Sequence, residues 1–258
     1  MESLRNNINQ VSSDFRNIKL AITAKGIVIE DGTKTAEYAE KVNEVYDAGQ
    51  KSEYDRFWDS YQANGKRTAY AHGFGGVGWT DEVFYPKYDI KPKDAYMLFR
   101  DSKITDIYGR LEELGLTLDF SNCTNMQYAL QQNYITRIGI VDVRNATGMT
   151  YAFYGSSKVV TFEKLIIKED GTTPFSNSTF QGMTSLENLT IEGVIGANKF
   201  DVSTCTKLSH DSLMNIINCL KDYSESGTTY TVTLGTTNLA KLTDEEKAIA
   251  TQKGWTLA

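Results

Sequence analysis

Apolar residues open the chain at Leu4, Ile8, Val11, Phe15, Ile18 and Ile22. The steps alternate between four and three, the a/d spacing of a heptad. Asn, Ser, Arg, Asp and Lys fill the positions between them. A stripe so narrow on a helix so polar has little to pack against except copies of itself. Residues 1–25 therefore predict a parallel coiled-coil stalk. β-branched core positions are compatible with a homotrimer. The plainer reading is one amphipathic helix docked on its own domain. Lys25-Gly26 supplies a glycine stop. Residues 26–50 read as a connector, with a turn at Asp31-Gly32-Thr33 and a second helix through Tyr38, Val42 and Val45.

Further along, the period lengthens. The pattern apolar-x-x-apolar-x-apolar occurs at Leu111, Leu114 and Leu116, then at Ile135, Ile138 and Ile140. It recurs at Phe162, Leu165 and Ile167, and at Leu186, Leu189 and Ile191. Starts fall 24, 27 and 24 residues apart, inside the leucine-rich-repeat range. A second register runs beside it: Asp119 to Met126, Asp142 to Met149 and Asp201 to Leu208 share one scheme, D-[FV]-[SR]-[NT]-[CA]-T-x-[ML]. Leu130, Phe153 and Phe180 follow the first three starts as apolar plugs. A single unit cannot bury both its strand and its plug, whereas stacked units share one core. The expected fold is an α/β solenoid of degenerate leucine-rich repeats with a parallel sheet, over residues 111–235. The competing reading is an ordinary α/β domain with chance spacing.

A solenoid needs capped ends. Residues 51–110, opening with the aromatic helix Tyr54–Tyr61, read as the N-terminal cap. Toward the other end, Leu213, Ile216, Ile217 and Leu220 predict a helix, and Thr229–Leu234 an alternating strand. Residues 236–258 form the C-terminal cap. There Thr243 and Glu246 make a capping box, Gly254 stops the helix and Trp255–Leu257 closes as a strand.

Composition narrows the partners. Lys and Arg total 27 against 33 Asp and Glu, a net charge of −6 that argues against a nucleic-acid ligand. No apolar run reaches the roughly 20 residues of a membrane span, so no membrane insertion is expected. Met1-Glu2 opens without a basic or apolar leader, which predicts no secretory signal. Cys123, Cys205 and Cys219 form no C-x-x-C and read as apolar thiols. No metal and no cofactor are predicted.

The degenerate L-x-x-L-x-I strands, with plugs such as Tyr151-Ala-Phe153, resemble leucine-rich repeats of the BspA type. Three other stretches resemble structural proteins of phages and prophages of Firmicutes-like gut bacteria. One is Asp14-Phe-Arg-Asn-Ile-Lys19 with Lys25-Gly26 and Asp31 to Ala39. Another is Phe57 to Gln62 with Gly78-Trp79-Thr80 and Pro86 to Asp89. The last is Leu242 to Trp255. The resemblance spans nearly the whole chain and implies a virion component of the tail tip or a fibre, with adhesion as the associated activity. It carries no catalytic residues to transfer.

Four places in the sequence offer candidate chemistry. His72 to Gly78 contains a formal G-x-G-x-x-G, but Trp79 to Pro86 is a poor helix and no P-loop Lys follows, so a tight glycine loop is expected. His72 and His210 stand in no nucleophile motif. Asp81 and Glu82 beside Trp79, Tyr85 and Tyr88 form an aromatic-acidic cluster. It is a candidate sugar contact and, less readily, a pair of carboxylates for glycoside hydrolysis. The preferred surface is the concave sheet face, where residues flanking the buried positions point outward: Gly115, Thr117, Gly139, Val141, Ile166, Lys168, Thr190 and Glu192. The expected function is a non-enzymatic, trimeric receptor-binding virion protein. Its N-terminus would meet other virion proteins and its body a bacterial surface glycan or protein. The alternatives are a bacterial surface adhesin, an architectural head-fibre or baseplate component, or a tail-associated cell-wall hydrolase.

Overall fold

The computed structural model describes residues 73–258 apart from residues 83, 87, 88 and 198. The chain divides after Lys66, so all described residues belong to its second unit. The stalk positions Leu4 to Ile22, the connector 26–50, the segment Tyr54–Tyr61, His72 and Tyr88 lie outside the described residues.

Apolar plugs at Phe74, Phe99, Leu130, Phe153 and Phe180 are all fully buried. Parallel backbone hydrogen bonds tie neighbouring plug segments together. Phe74 N–H donates to Leu98 O, Phe99 to Ala129 O, Leu130 to Ala152 O and Phe153 to Thr179 O. Two residues beyond each plug the chain turns left-handed, at Gly76, Asp101, Gln132, Gly155 and Gly182, with φ from 50° to 100°. Glycine takes this conformation freely. Asp101 and Gln132 hold it at a cost of roughly 1 kcal/mol each, and their N–H groups are anchored on Gln131 O and Tyr154 O. The stretch Gly73–Gly78 is thus the first described rung of this ladder. Gly75 belongs there because a Cβ would sit 2.9 Å from Met97 O. Two described rungs, at Phe74 and Phe99, thus lie inside the segment 51–110, ahead of the first expected repeat.

The aspartates of the second register have a local purpose. Asp119, Asp142 and Asp201 each accept a hydrogen bond from the N–H two residues on, at Ser121, Arg144 and Ser203. Asp94 does the same for Tyr96. These are Asx turns, in which the side chain replaces a backbone acceptor and bends the chain.

Strands β1 (Arg137–Asp142), β2 (Thr161–Ile166) and β3 (Asn188–Glu192) form a parallel sheet in that order. Ile138 pairs with Phe162 and Phe162 with Leu189; Val141 pairs with Leu165 and Leu165 with Ile191. The expected motif frame is therefore displaced by three residues in β1, and in β3 by three at Leu189 and by two at Ile191, beyond a register shift in the β2–β3 pair. Two corrections follow. Val141, expected on the exposed face, is fully buried, because it takes the slot matching Leu165. Ile140, expected inside, is 55% exposed. The first motif does not begin a strand either. Leu111 lies in helix α1 (Ile107–Glu113), and Leu114 beyond it is 43% exposed. Asp106 caps that helix by accepting from Gly109 N–H, and Ile107, Tyr108 and Leu111 fall on its buried face.

The free edge of β3 is closed by side chains in place of a fourth strand. Helix α2 (His210–Cys219) begins at the N-cap Ser209 and packs along β3. Ser212 Oγ accepts from Leu189 N–H, and Asn215 Oδ1 accepts from Ile191 N–H. Edge amides that would otherwise invite pairing with another chain are thereby occupied. Strand β4 (Tyr230–Val232), helices α3 (Thr236–Leu239) and α4 (Asp244–Gln252), and strand β5 (Trp255–Leu257) complete the chain, with β4 parallel to β5. Both hydrogen bonds of the Thr243–Glu246 capping box are formed.

Cys123 and Cys205 are buried and Cys219 is half-buried; none is in a disulfide. Burial pushes the Cys123 thiol up to about 11 and that of Cys205 to about 12, so both stay protonated at neutral pH.

Several carboxyls are held below their ordinary range by local donors. Lys91 and then Thr117 lower Asp89. Burial raises Asp142, but Arg144 outweighs it and the net shift is downward. Thr172 lowers Asp170, Ser224 lowers Asp222, and the Thr243 N–H lowers Glu246. A depressed folded-state pKa means that the unfolded chain binds protons first on acidification. The contribution is complete above about pH 5 and lost as pH falls through the carboxylate range. Urea midpoints should fall between pH 6 and pH 3; a flat profile would contradict these assignments.

Candidate functional site

The exposed face of the sheet gathers residues from all three strands. Ile140 lies beside Lys164 across the β1–β2 pair, and Glu163 precedes Lys164 on β2. Thr190 and Glu192 are exposed on β3. Arg137 on β1 bridges two rungs: its Nη2 lies 3.0 Å from Glu112 of α1 and its Nη1 2.7 Å from Glu163. Lys164 meets Glu192 at 2.8 Å. These pairs are partly or largely solvated, so each adds less than about 1 kcal/mol to stability. Their stronger effect is to fix charge positions across neighbouring rungs.

Of the residues expected on this face, Thr117, Thr190 and Glu192 are exposed, and Ile166 and Lys168 are half-exposed. Gly115 is exposed, whereas Gly139 and Val141 are buried. The displaced motif frame hid Arg137, Ile140, Glu163 and Lys164. Sliding the frame by three residues, so that Ile138 and Val141 match Phe162 and Leu165, brings Ile140 and Lys164 to the surface together.

Where α1 meets β1, a cleft of about 200 Å³ opens. Leu111, Leu116, Leu118 and Ile140 line it, with Thr117 alongside. Glu112 and Glu163 stand in its lining from opposite elements. Tyr108 forms one wall. A Cβ at residue 139 would lie 2.6 Å from the Tyr108 ring, so glycine there is what lets the ring lie against the strand. The Tyr108 hydroxyl is buried beside the Gly139 backbone. Burial, with Glu163 nearby, drives the phenol pKa strongly upward, so the hydroxyl keeps its proton.

The aromatic-acidic cluster divides its members among separate tasks. Trp79 packs edge-on to Phe74 at 5.0 Å. Asp81 accepts from both the N–H and the hydroxyl of Thr105, at 2.7 and 2.6 Å. Tyr85 lies under the Arg110 guanidinium at 4.1 Å and is 49% exposed. Glu82 is exposed and Tyr88 lies outside the described residues. Asp81, Phe84, Asp106, Arg110 and Glu113 line a second cleft, of about 220 Å³. Two of its carboxylates are engaged as caps, on Thr105 and Gly109.

A column of tyrosines runs over three successive rungs, with Tyr151 and Tyr154 on the same one. Tyr96, Tyr128, Tyr151 and Tyr154 follow at centroid distances of 5.6, 5.2 and 5.1 Å. Tyr128 and Tyr151 stack face to face at 14°, which turns their faces toward each other. His210 Nε2 lies 2.8 Å from Glu246 Oε1 and links the start of α2 to α4. Among the described residues no group of three or more His, Cys, Asp or Glu side chains could hold a metal ion. No described helix is long and apolar enough to cross a membrane.

Comparison with protein-family models, curated proteins and solved structures finds no match to this chain.

Proposed function

We propose that the chain is a non-enzymatic virion structural protein of the phage tail-fibre or tail-tip type. Its body is a leucine-rich-repeat solenoid that contacts the bacterial surface. The observation that supports this most is the rung ladder from Phe74 to Phe180, which displays a mixed-charge sheet face on one side. Such a scaffold presents many weak contacts in a fixed spacing. The heptads at Leu4 to Ile22 support a homotrimeric stalk that attaches to other virion proteins. Three copies would raise avidity without a new contact. The partner is a surface glycan or protein; nucleic acid and membrane insertion are not part of this reading.

Light scattering is expected to give a trimer for the full chain and a smaller species for a chain lacking residues 1–25. If both are monomeric, the stalk reading is wrong. The fluorescently labelled full chain is expected to sediment with host cells, and antibody against it to decorate one end of released particles in electron micrographs. Absence of both signals would overturn the virion-receptor reading.

A further inference from the structure

We propose that the cleft between α1 and β1 receives a lysyl side chain from a protein on the contacted surface. The proposal rests on the surface-contact reading and specifies the chemistry of one contact within it.

Size comes first. Ligand pockets for cofactors and drug-sized molecules run roughly 300–1,000 Å³, and this cleft measures about 200 Å³. It is large enough for one extended side chain and smaller than an enclosed cofactor pocket. Chemistry comes second. The lining is aliphatic, from Leu111, Leu116, Leu118 and Ile140. Ile140 is 55% exposed on a strand face that also carries charged and hydroxyl side chains and the half-exposed Ile166. An occupant with an apolar stem would remove that surface from water.

Charge comes third. Glu112 and Glu163 face one guanidinium, that of Arg137, and each meets it through Oε1. Two carboxylates against one cation leave the rim net negative. Lysine joins the required properties: a four-carbon stem that lies along apolar surface and a compact ammonium that stays at the wet rim. A guanidinium is matched best by two oxygens of one carboxylate, and Glu112 and Glu163 each already give one oxygen to Arg137. An acidic or neutral polar side chain would meet the rim without compensation.

The site is also held in place. Arg137 ties α1, β1 and β2 into one rim through its two ion pairs. Tyr108, seated on Gly139, fixes the wall. A ligand entering here would therefore reorganise little.

The test uses the full chain with its isoleucine δ1 methyls labelled, and the peptide acetyl-Gly-Lys-Gly-amide as probe. Titration is expected to shift the Ile140 methyl with Kd near 1 mM, the affinity scale of a single side chain. Glu112→Gln and Glu163→Gln should each weaken binding about threefold, the size of an exposed ion-pair effect. Neither change should disturb the buried isoleucine signals, which reports that the fold is intact. The norleucine peptide should bind at least tenfold more weakly. Three results would overturn the assignment: no Ile140 shift up to tens of millimolar peptide, equal binding of the norleucine peptide, or tighter binding of the arginine peptide. If Ile140 stays silent while the labelled chain still sediments with cells, the cleft assignment falls and the surface-contact reading stands. If the peptide binds but the chain neither sediments nor marks particles, that reading falls and the lysyl site remains.

Discussion

Replacing Phe153 with alanine is expected to lower the unfolding free energy by about 4 kcal/mol, the middle of the range for an aromatic core truncation. Phe153 is fully buried, with Phe162 edge-on at 5.0 Å and Phe180 stacked at 5.6 Å. It therefore joins the plug column to the sheet. Its removal empties the contact between those two layers, and its own backbone bond to Thr179 O sits beside the void. Phe162 and Phe180 lose a ring contact with it, so the loss is not confined to one segment. Phe153→Leu should cost much less, about 1 kcal/mol, because the preceding rung already carries Leu130 at the matching position. Urea unfolding followed by far-UV circular dichroism measures both. A Phe153→Ala loss below 1 kcal/mol would mean that the plugs do not share one core.

The same column shows what could be read in advance. Leu130, Phe153 and Phe180 are recognisable in the sequence because an apolar residue recurs at nearly constant distance. The aspartate register was legible for the same reason, since an Asx turn needs only its own side chain and a nearby N–H. The strand frame was not. Leu and Ile recur three residues apart both before and inside the strands, so two alignments fit the period equally well. Only the pairing of Ile138 with Phe162 separates them. That shift of three exchanged Ile140 for Val141 on the exposed face. The rungs at Phe74 and Phe99 were missed because Gly73–Gly78 reads as a loop, and the plug there is a lone Phe. The cleft was illegible for a different reason. It depends on Tyr108 lying over Gly139, a contact between residues far apart in the chain, and no local pattern encodes such an approach. Its acidic lining follows from the same fold, because Glu112 belongs to a helix that stands where a strand was expected.

Asn238→Ala should be the most damaging polar substitution in the C-terminal part, at about 2–3 kcal/mol. Asn238 is fully buried on the short helix α3. Its amide nitrogen lies 2.9 Å from Leu234 O, 3.3 Å from Cys205 O and 3.4 Å from Val202 O. Its oxygen accepts from Lys241, whose ammonium also donates to Thr206 O and Leu208 O. One side chain thus serves carbonyls from two chain segments and helps hold a half-buried cation. Alanine would strand the Leu234 carbonyl and withdraw one acceptor from the ammonium. Burial lowers the Lys241 pKa below the usual ammonium value, so its carbonyl and amide acceptors offset a desolvation cost. Lys241→Met removes the cation and its demand together, and should cost less than Asn238→Ala. The damage should also be local. Leu234 and Gly235 both donate to Ala258 O, so loosening Asn238 releases the β4–β5 end first. Hydrogen exchange should show faster amides at Leu234, Gly235 and Ala258, with the rungs from Phe99 to Phe153 unchanged. Uniform acceleration across both regions would instead show that the C-terminal part and the ladder unfold as one unit.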